Sequence, residues 1–257
     1  MILISGCMSG QPPVPARETA PAPGLTFYTE QNPPYNYEEN GTLKGIAVDL
    51  LEEMTARAGS RVDRSQVRLV PWTEGYQAVL HQNRTVLFTT VRLPERESSF
   101  KWVGPIYPYT NVLFSRQDRN FTVRGVEDPK MLKIGVIRDD IAGIQLLAMG
   151  MKESQLVKET SVSEIIRKLE SGEIDLWGYP EPSGRYFARQ VTGNASTFRV
   201  VYTLPALDGY YAFSRDTPDS TVEAFQKALD SLKQEKDASG RSRYEEIVWR
   251  NIPSSGV

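Results

Sequence analysis

The stretch Val86-Leu-Phe-Thr-Thr-Val-Arg-Leu-Pro-Glu-Arg96, running on to Phe100-Lys-Trp-Val-Gly-Pro105, decides how the rest of the chain reads. Val86 to Phe88 has the unbroken apolar character of a buried strand, Thr89 and Thr90 end it, and Pro94 suits the first position of a helix whose opening turn contains Arg96. A cation in that turn opposes the helix macrodipole by about 0.3–1 kcal/mol, so helix stability does not explain it. A planar guanidinium beside free backbone N–H groups suits a carboxylate instead. A solvated arginine paired with Glu95 or Glu97 is the competing reading.

Working outward, residues 25–28 read as a strand. A helix over 46–58 puts Ile46, Leu50, Met54 and Ala58 on one face, with Gly59 just past its end. A strand over 67–70, a helix from Trp72 to about Leu80 and a strand over 85–89 follow. A second series starts with a strand at 134–137 and a helix at 141–149. Ser161-Val-Ser-Glu164 has the form of a capping box, Val162, Ile165, Ile166 and Leu169 recur at helical spacing to Gly172, and a strand occupies 174–177. Residues 199–202 join this second sheet, and 210–214 return to the first. Ser220-Thr-Val-Glu223 is a second capping box, opening a helix with Val222, Phe225, Leu229 and Leu232 inward.

Strands alternating with helices predict an α/β chain with mainly parallel sheets flanked by helices. The expected division is a leader and tether over 1–24, one lobe from 25–110 plus 208–257, and a second from 111–207, joined by two crossings. Ligands of open α/β sheets bind beyond the carboxyl ends of the strands. Thr89-Thr90, Asp139-Asp140 and residues 179–181 all fall there, so a cleft between the lobes is the expected site.

The composition narrows the function classes. The 257 residues are 40% hydrophobic with a formal charge of −2, and no run of Lys or Arg is interleaved with aromatics, so no nucleic-acid partner is expected. One cysteine and one histidine exclude a disulfide framework and a thiolate or histidine-rich metal site; no cofactor is expected. A Ser-His-Asp triad would have to use His81, which sits in a polar helix-end sequence. No segment approaches the roughly 18 apolar residues that span a bilayer. Leu3-Ile-Ser-Gly-Cys7 resembles a bacterial lipobox, which implies lipidation at Cys7, and the Pro-rich residues after it read as an extended tether. The apolar part ahead of Cys7 is shorter than the 7–15 residues or so of a full signal sequence, so a truncated start is expected.

Further stretches carry a resemblance: Asn32-Pro-Pro-Tyr-Asn-Tyr37, Asn40-Gly-Thr-Leu-Lys-Gly-Ile-Ala-Val-Asp49, Val70-Pro-Trp72, Gly135-Val-Ile-Arg-Asp-Asp140 and Gly172-Glu-Ile-Asp-Leu-Trp177. In that order and spacing the chain, from about Leu25 to Ile252, resembles the extracytoplasmic solute-binding proteins of polar amino-acid ABC importers. The resemblance implies a two-lobed type II periplasmic-binding-protein fold and a receptor that closes on an amino acid or similar zwitterion. It implies ABC transporter membrane subunits as partners, and membrane contact through the lipid anchor only. Arg96 would pair with the ligand's α-carboxylate, aided by Thr89 and Thr90. Tyr35 and Trp72 would sandwich the ligand, although the Trp72 segment carries one residue more than the family's usual pattern. Glu30 and Asn32, on the loop after the first strand, would reach its side chain.

The second lobe departs from the family. Where a small Gly-Thr or Gly-Ser pair is usual, this chain has Asp139-Asp140: one aspartate is expected to cap a helix, and the other favours a cationic group unless Arg138 neutralises it. The family's amino-group-binding aspartate falls at Pro180, so Glu181 is the expected substitute, with Arg185 nearby. Two other functions fit the same resemblance. One is an enzyme like the cyclohexadienyl dehydratases, with Glu181 as general acid. The other is the ligand-sensing module of a signalling receptor, which is expected to continue into a membrane helix and an output domain.

Overall fold

The strand that carries the opening motif spans Thr85–Val91, and all seven of its residues are buried. Thr89 and Thr90 therefore lie inside it and do not end it. The helix expected after Pro94 is a single 3-10 turn, Pro94–Arg96, because the chain becomes extended again at Phe100. The computed structural model describes residues 24–119 and 132–252; Cys7 and the tether lie outside that range.

In chain order the elements are β1 (Thr26–Thr29), β2 (Tyr37–Glu39), β3 (Thr42–Lys44), α1 (Ile46–Arg57), β4 (Val67–Leu69), α2 (Trp72–His81), β5 (Thr85–Val91) and β6 (Phe100–Tyr109). Next come β7 (Asn111–Arg116), β8 (Ile134–Ile137), α3 (Ile141–Ala148), β9 (Leu156–Glu159), α4 (Val162–Ser171), β10 (Leu176–Pro180), α5 (Glu181–Thr192) and β11 (Phe198–Thr203). The last are β12 (Leu207–Ser214), α6 (Asp219–Gln234) and α7 (Arg243–Asn251).

Two five-stranded sheets result, in the orders β4-β1-β5-β12-β6 and β11-β7-β10-β8-β9, with β2 and β3 as a separate hairpin. In each large sheet four strands run in one direction and one runs against them, β12 in the first and β7 in the second. The sheets are mainly parallel, as expected, with one reversed strand each. The cause is the connection: β6 passes into β7 across one residue and β11 into β12 across three, so β7 and β12 each enter a sheet from its carboxyl end.

Local chemistry accounts for the first lobe. Asn40 and Gly41 both have positive φ, +53° and +72°, and form the two-residue turn that Asn-Gly favours between β2 and β3. Gly45 has φ +119°, and a Cβ there would strike the Tyr35 carbonyl. That close approach lets the Pro-Pro-Tyr loop satisfy the free N–H groups at the start of α1: Ile46 donates to the Pro34 carbonyl at 3.1 Å and Ala47 to that of Tyr35 at 2.8 Å. The capping boxes expected at Ser161 and Ser220 are absent. Ser161 stands at the N-cap of α4 without a side-chain bond, and α6 begins at Asp219 with Pro218 as its N-cap, two residues earlier than Ser220 would require.

Asp49 on α1 is buried and accepts from Arg64 at 2.7 Å, Arg250 at 2.7 Å and Asn251 at 2.8 Å. It ties α7 to the first lobe. Both arginines keep solvent contact, so Asp49→Ala is expected to lower the unfolding free energy by about 2 kcal/mol. In urea denaturation this appears as a lower midpoint with an unchanged slope.

Candidate functional site

Arg96 ends the 3-10 turn after β5 and is only 4% exposed. Its guanidinium donates to the Val91 carbonyl at 3.4 Å and to the Asp139 carbonyl of the other lobe at 2.7 Å. It lies over the Tyr76 ring at 5.0 Å and the Trp72 ring at 5.6 Å. These rings stand four residues apart on α2, hence on one face, and stack at 5.4 Å. Among the described residues no carboxylate comes within ion-pairing distance of Arg96, and the buried Trp72 indole N–H has no acceptor.

Across the seam, Asp139 adopts a left-handed conformation, φ +61°, between β8 and α3 and presents its carbonyl to Arg96. Asp140 follows, buried, as the N-cap of α3: its Oδ1 accepts the Ile141 N–H at 2.6 Å. This is the cap expected of one member of the pair. Glu30 follows the end of β1 and is partly exposed, and no hydrogen bond or ion pair of its side chain is found among the described residues.

Burial, and then the charge of Asp140, hold the Glu30 carboxyl well above the usual carboxylate range. Burial also raises Asp140, opposed by the Ile141 N–H and by Arg96. Tyr109 and Tyr179 are pushed up as well, first by burial and then by these two carboxylates. The Arg96 bond to the Asp139 carbonyl sets the first lobe against the second here, and Asn32 holds the Tyr109 hydroxyl on the first lobe's side.

The other expected residues are differently engaged. The Thr89 hydroxyl donates to Asn36 Oδ1, while Asn36 Nδ2 donates to the Glu30 carbonyl at 2.8 Å, so the pair fixes the loop that carries Glu30. Thr90 donates back to the Leu87 carbonyl at 3.3 Å. Tyr35 packs on Tyr109 at 5.3 Å and Tyr107 at 6.0 Å; the ring beside Trp72 is Tyr76. Glu181 opens α5, half-exposed, and pairs with Arg185 at 2.7 Å, one helical turn on. That local pair occupies the carboxylate expected to hold an ammonium. His81 is exposed, and the described residues contain no cluster suited to a metal ion.

The lobes also touch directly. Ser183, at the start of α5, bonds to Asn32 and to the Pro33 carbonyl, Asn32 donates to Tyr109 at 3.2 Å, and Gln31 donates to Tyr186 at 3.2 Å. Asn32 was expected at the ligand; here it helps close the seam. Tyr76, Tyr109, Tyr179 and Ser183 were not among the expected site residues. Only Tyr76 had a local signal, its position four residues after Trp72.

Residues 25–240 match the bacterial extracellular solute-binding proteins, family 3. Among solved structures, the chain is similar to a histidine kinase sensor domain with similarity to periplasmic binding proteins, at 22% identity and TM-score 0.75, covering 89% of this chain and 96% of that one. It is similar to an ancestral arginine-binding protein bound to arginine, at 19% identity and TM-score 0.73, covering 90% and 100%. It is also similar to the arginine-, lysine-, histidine-binding protein ArtJ from the thermophilic bacterium Geobacillus stearothermophilus, at 17% identity and TM-score 0.71, covering 88% and 94%. At these identities the likeness carries the two-lobed fold. No curated protein matches the chain in sequence.

A carboxyl whose pKa is raised on folding binds its proton more tightly in the folded chain, so its contribution to stability is largest at acid pH and is lost as pH rises through the raised value. Glu30 and Asp140 both act in this sense. The melting temperature of the ligand-free protein is expected to fall relative to Glu30→Gln between about pH 4.5 and about pH 7.5, the two curves converging at the acid end. Calorimetry across that range checks this; parallel curves would contradict it.

Proposed function

Because the chain belongs to the bacterial extracellular solute-binding proteins, family 3, we propose that it is the extracytoplasmic receptor of an ABC importer. Its solute is a small amino acid or a close relative, held between a lobe of residues 25–110 plus 208–257 and a lobe of 111–207. The single observation that carries this reading is Arg96, a buried guanidinium without a carboxylate partner.

Burying a charge costs several kcal/mol unless it is paired. Two carbonyl oxygens and two aromatic faces offset part of that cost here, and a ligand carboxylate completes it with charge-assisted bonds. Closure follows from where the contacts lie. Arg96, Trp72 and Tyr76 belong to the first sheet's side of the seam and Asp139 and Asp140 to the second's, so a solute touching both favours the closed form. Delivery to membrane subunits and anchoring through a lipid on Cys7 complete the proposal; the lipobox-like sequence supports the anchor. Among the described residues no helix is long and apolar enough to cross a membrane.

The similarity to a histidine kinase sensor domain favours a second reading, a ligand-sensing module with the same cleft. Transport of the solute by cells that lack this protein separates the two: uptake is lost if it feeds an importer and retained if it only senses. A dehydratase-like enzyme has less support, since the family is one of binding proteins and Glu181 is half-exposed and paired with Arg185.

An amino acid at about one hundred times its dissociation constant adds about 2.7 kcal/mol to the stability of its receptor. In a thermal-shift panel of the common amino acids, at least one is expected to stabilise the wild-type protein. Arg96→Ala and the methyl ester of the same amino acid are each expected to abolish the shift. A full shift by the ester, or in the variant, would remove Arg96 from the role given to it.

A further inference from the structure

The loop that carries Arg96 leaves β5 after Val91 and rejoins the first sheet at Phe100, and a pair outside the seam ties its ends together. Arg92 donates through Nε to one Glu97 oxygen at 2.7 Å and through Nη2 to the other at 2.5 Å. Two parallel bonds from one planar guanidinium fix direction as well as distance. The same group lies over the Trp102 ring at 5.9 Å and the Tyr210 ring at 5.6 Å, on the adjacent strands β6 and β12. Within this clasp Pro94 fixes one backbone dihedral, the Arg96 N–H donates to the Leu93 carbonyl at 3.0 Å, and the Glu97 N–H donates to that of Pro94 at 3.3 Å.

We infer that Arg92, together with Glu97, is a positioning residue for Arg96: the clasp closes this loop and seats it on the sheet, so that the Arg96 guanidinium is oriented before a carboxylate arrives. The inference rests on the receptor reading, in which Arg96 grips the solute's carboxylate, and adds to it the pair that holds the grip in place.

The rings couple the two arginines. Tyr210 packs edge-on against Trp102 at 6.0 Å, Trp102 against Phe100 at 5.4 Å and Phe100 against Tyr76 at 5.8 Å, and Tyr76 stacks on Trp72 at 5.4 Å. Arg92 lies on one end of this run and Arg96 on the other. The Arg92 end is tightly held, because Tyr210 lies so close to Gly104 that a Cβ there would strike its ring. Both guanidiniums thus rest on one aromatic body, and a loop of fixed span lets both reach it at once. The Arg92–Glu97 pair sets that span. Its bond also holds the Glu97 carboxyl below the usual carboxylate range, so the pair stays ionised around neutral pH.

The two side chains are 41% and 50% exposed, and exposed ion pairs contribute little to global stability. The effect of the clasp is local. A loop held at both ends has fewer conformations to lose when Arg96 binds a solute.

Calorimetric titration of the full chain with the common L-amino acids tests this, in the wild type, Arg92→Ala, Glu97→Gln and the double variant. For the amino acid that the wild type binds most tightly, each single variant is expected to weaken binding about 10-fold at an unchanged melting temperature. The double variant is expected to lose no more than either single one, as partners in one contact do. On charge alone the two substitutions would act in opposite directions, since one removes a cation near Arg96 and the other an anion. Unchanged affinity in both single variants, tighter binding by Glu97→Gln, or additive losses would overturn the positioning role and leave the receptor reading standing. If none of the amino acids bound the wild type, the receptor reading would fall, and the ligand-free protein would still decide the clasp. In nitrogen-15 relaxation the Arg96 Nε–H signal, identified by its loss in Arg96→Ala, is expected to be rigid in the wild type and mobile in both single variants. Equal rigidity in all three would overturn the inference.

Discussion

A full positive charge sits at the seam between the lobes without a negative one against it, and the rest of the architecture is arranged around that fact. Arg96 is held by carbonyl oxygens from both lobes and by two stacked rings of α2. Carbonyls and π-faces solvate a guanidinium only in part. β5 fixes where the charge enters the seam, since it is buried along its whole length and paired on both edges, with β1 and β12. The short turn after it leaves Arg96 little freedom to move out into solvent. A rigid strand end, a one-turn connection and a pair of rings thus confine the guanidinium before any solute arrives, which lowers the ordering cost of binding.

The way the lobes are wired makes such a seam possible. Read from the parallel edge inward, the sheets have matching layouts: β4, β1, β5 and the outer β6 share one direction with β12 reversed between β5 and β6, and β9, β8, β10 and the outer β11 share one direction with β7 reversed between β10 and β11. No internal repeat is evident in the sequence, so the likeness lies in topology alone. The crossings are short and bonded to each other: Leu204 donates to the Asn111 carbonyl at 2.9 Å, and Gln145 links Asn111 to the Pro205 carbonyl. Hinge motion between packed bodies concentrates in a few such terminal residues. On the proposed receptor reading it swings the carboxyl ends of both parallel sets, where Glu30, Arg96, Asp140 and Tyr179 lie, toward or away from one another.

Much of the fold was legible because local period and punctuation agreed. α1 has its apolar face and a positive-φ glycine on either side, and β8, β12 and α2 fall within a few residues of where the pattern puts them. The error after Pro94 has a physical cause: Pro94 fits a helix start, but Phe100 begins a ten-residue strand that leaves no room for one. Of the candidate site, the capping role of Asp140 was readable from residue type and position. The bond from Arg96 to the Asp139 carbonyl was not, because it joins residues 43 positions apart, on different lobes. Glu181, expected as the substitute for the family's amino-group-binding aspartate, pairs locally with Arg185, one helical turn on, a partner that the resemblance did not point to.

The second-lobe loop shows how one short sequence serves both signs of charge. Asp139, in a left-handed conformation, turns its carbonyl toward Arg96, while Asp140 spends one carboxylate oxygen on the helix that follows. The backbone of this loop thus solvates the cation of the opposite lobe, and its side chain opposes the anion there. A Gly-Ser pair at the same place would supply donors and no charge, leaving Arg96 and Glu30 to set the balance by themselves. With Asp140 present the loop instead supplies an acceptor to its own helix as well as a carbonyl to the arginine.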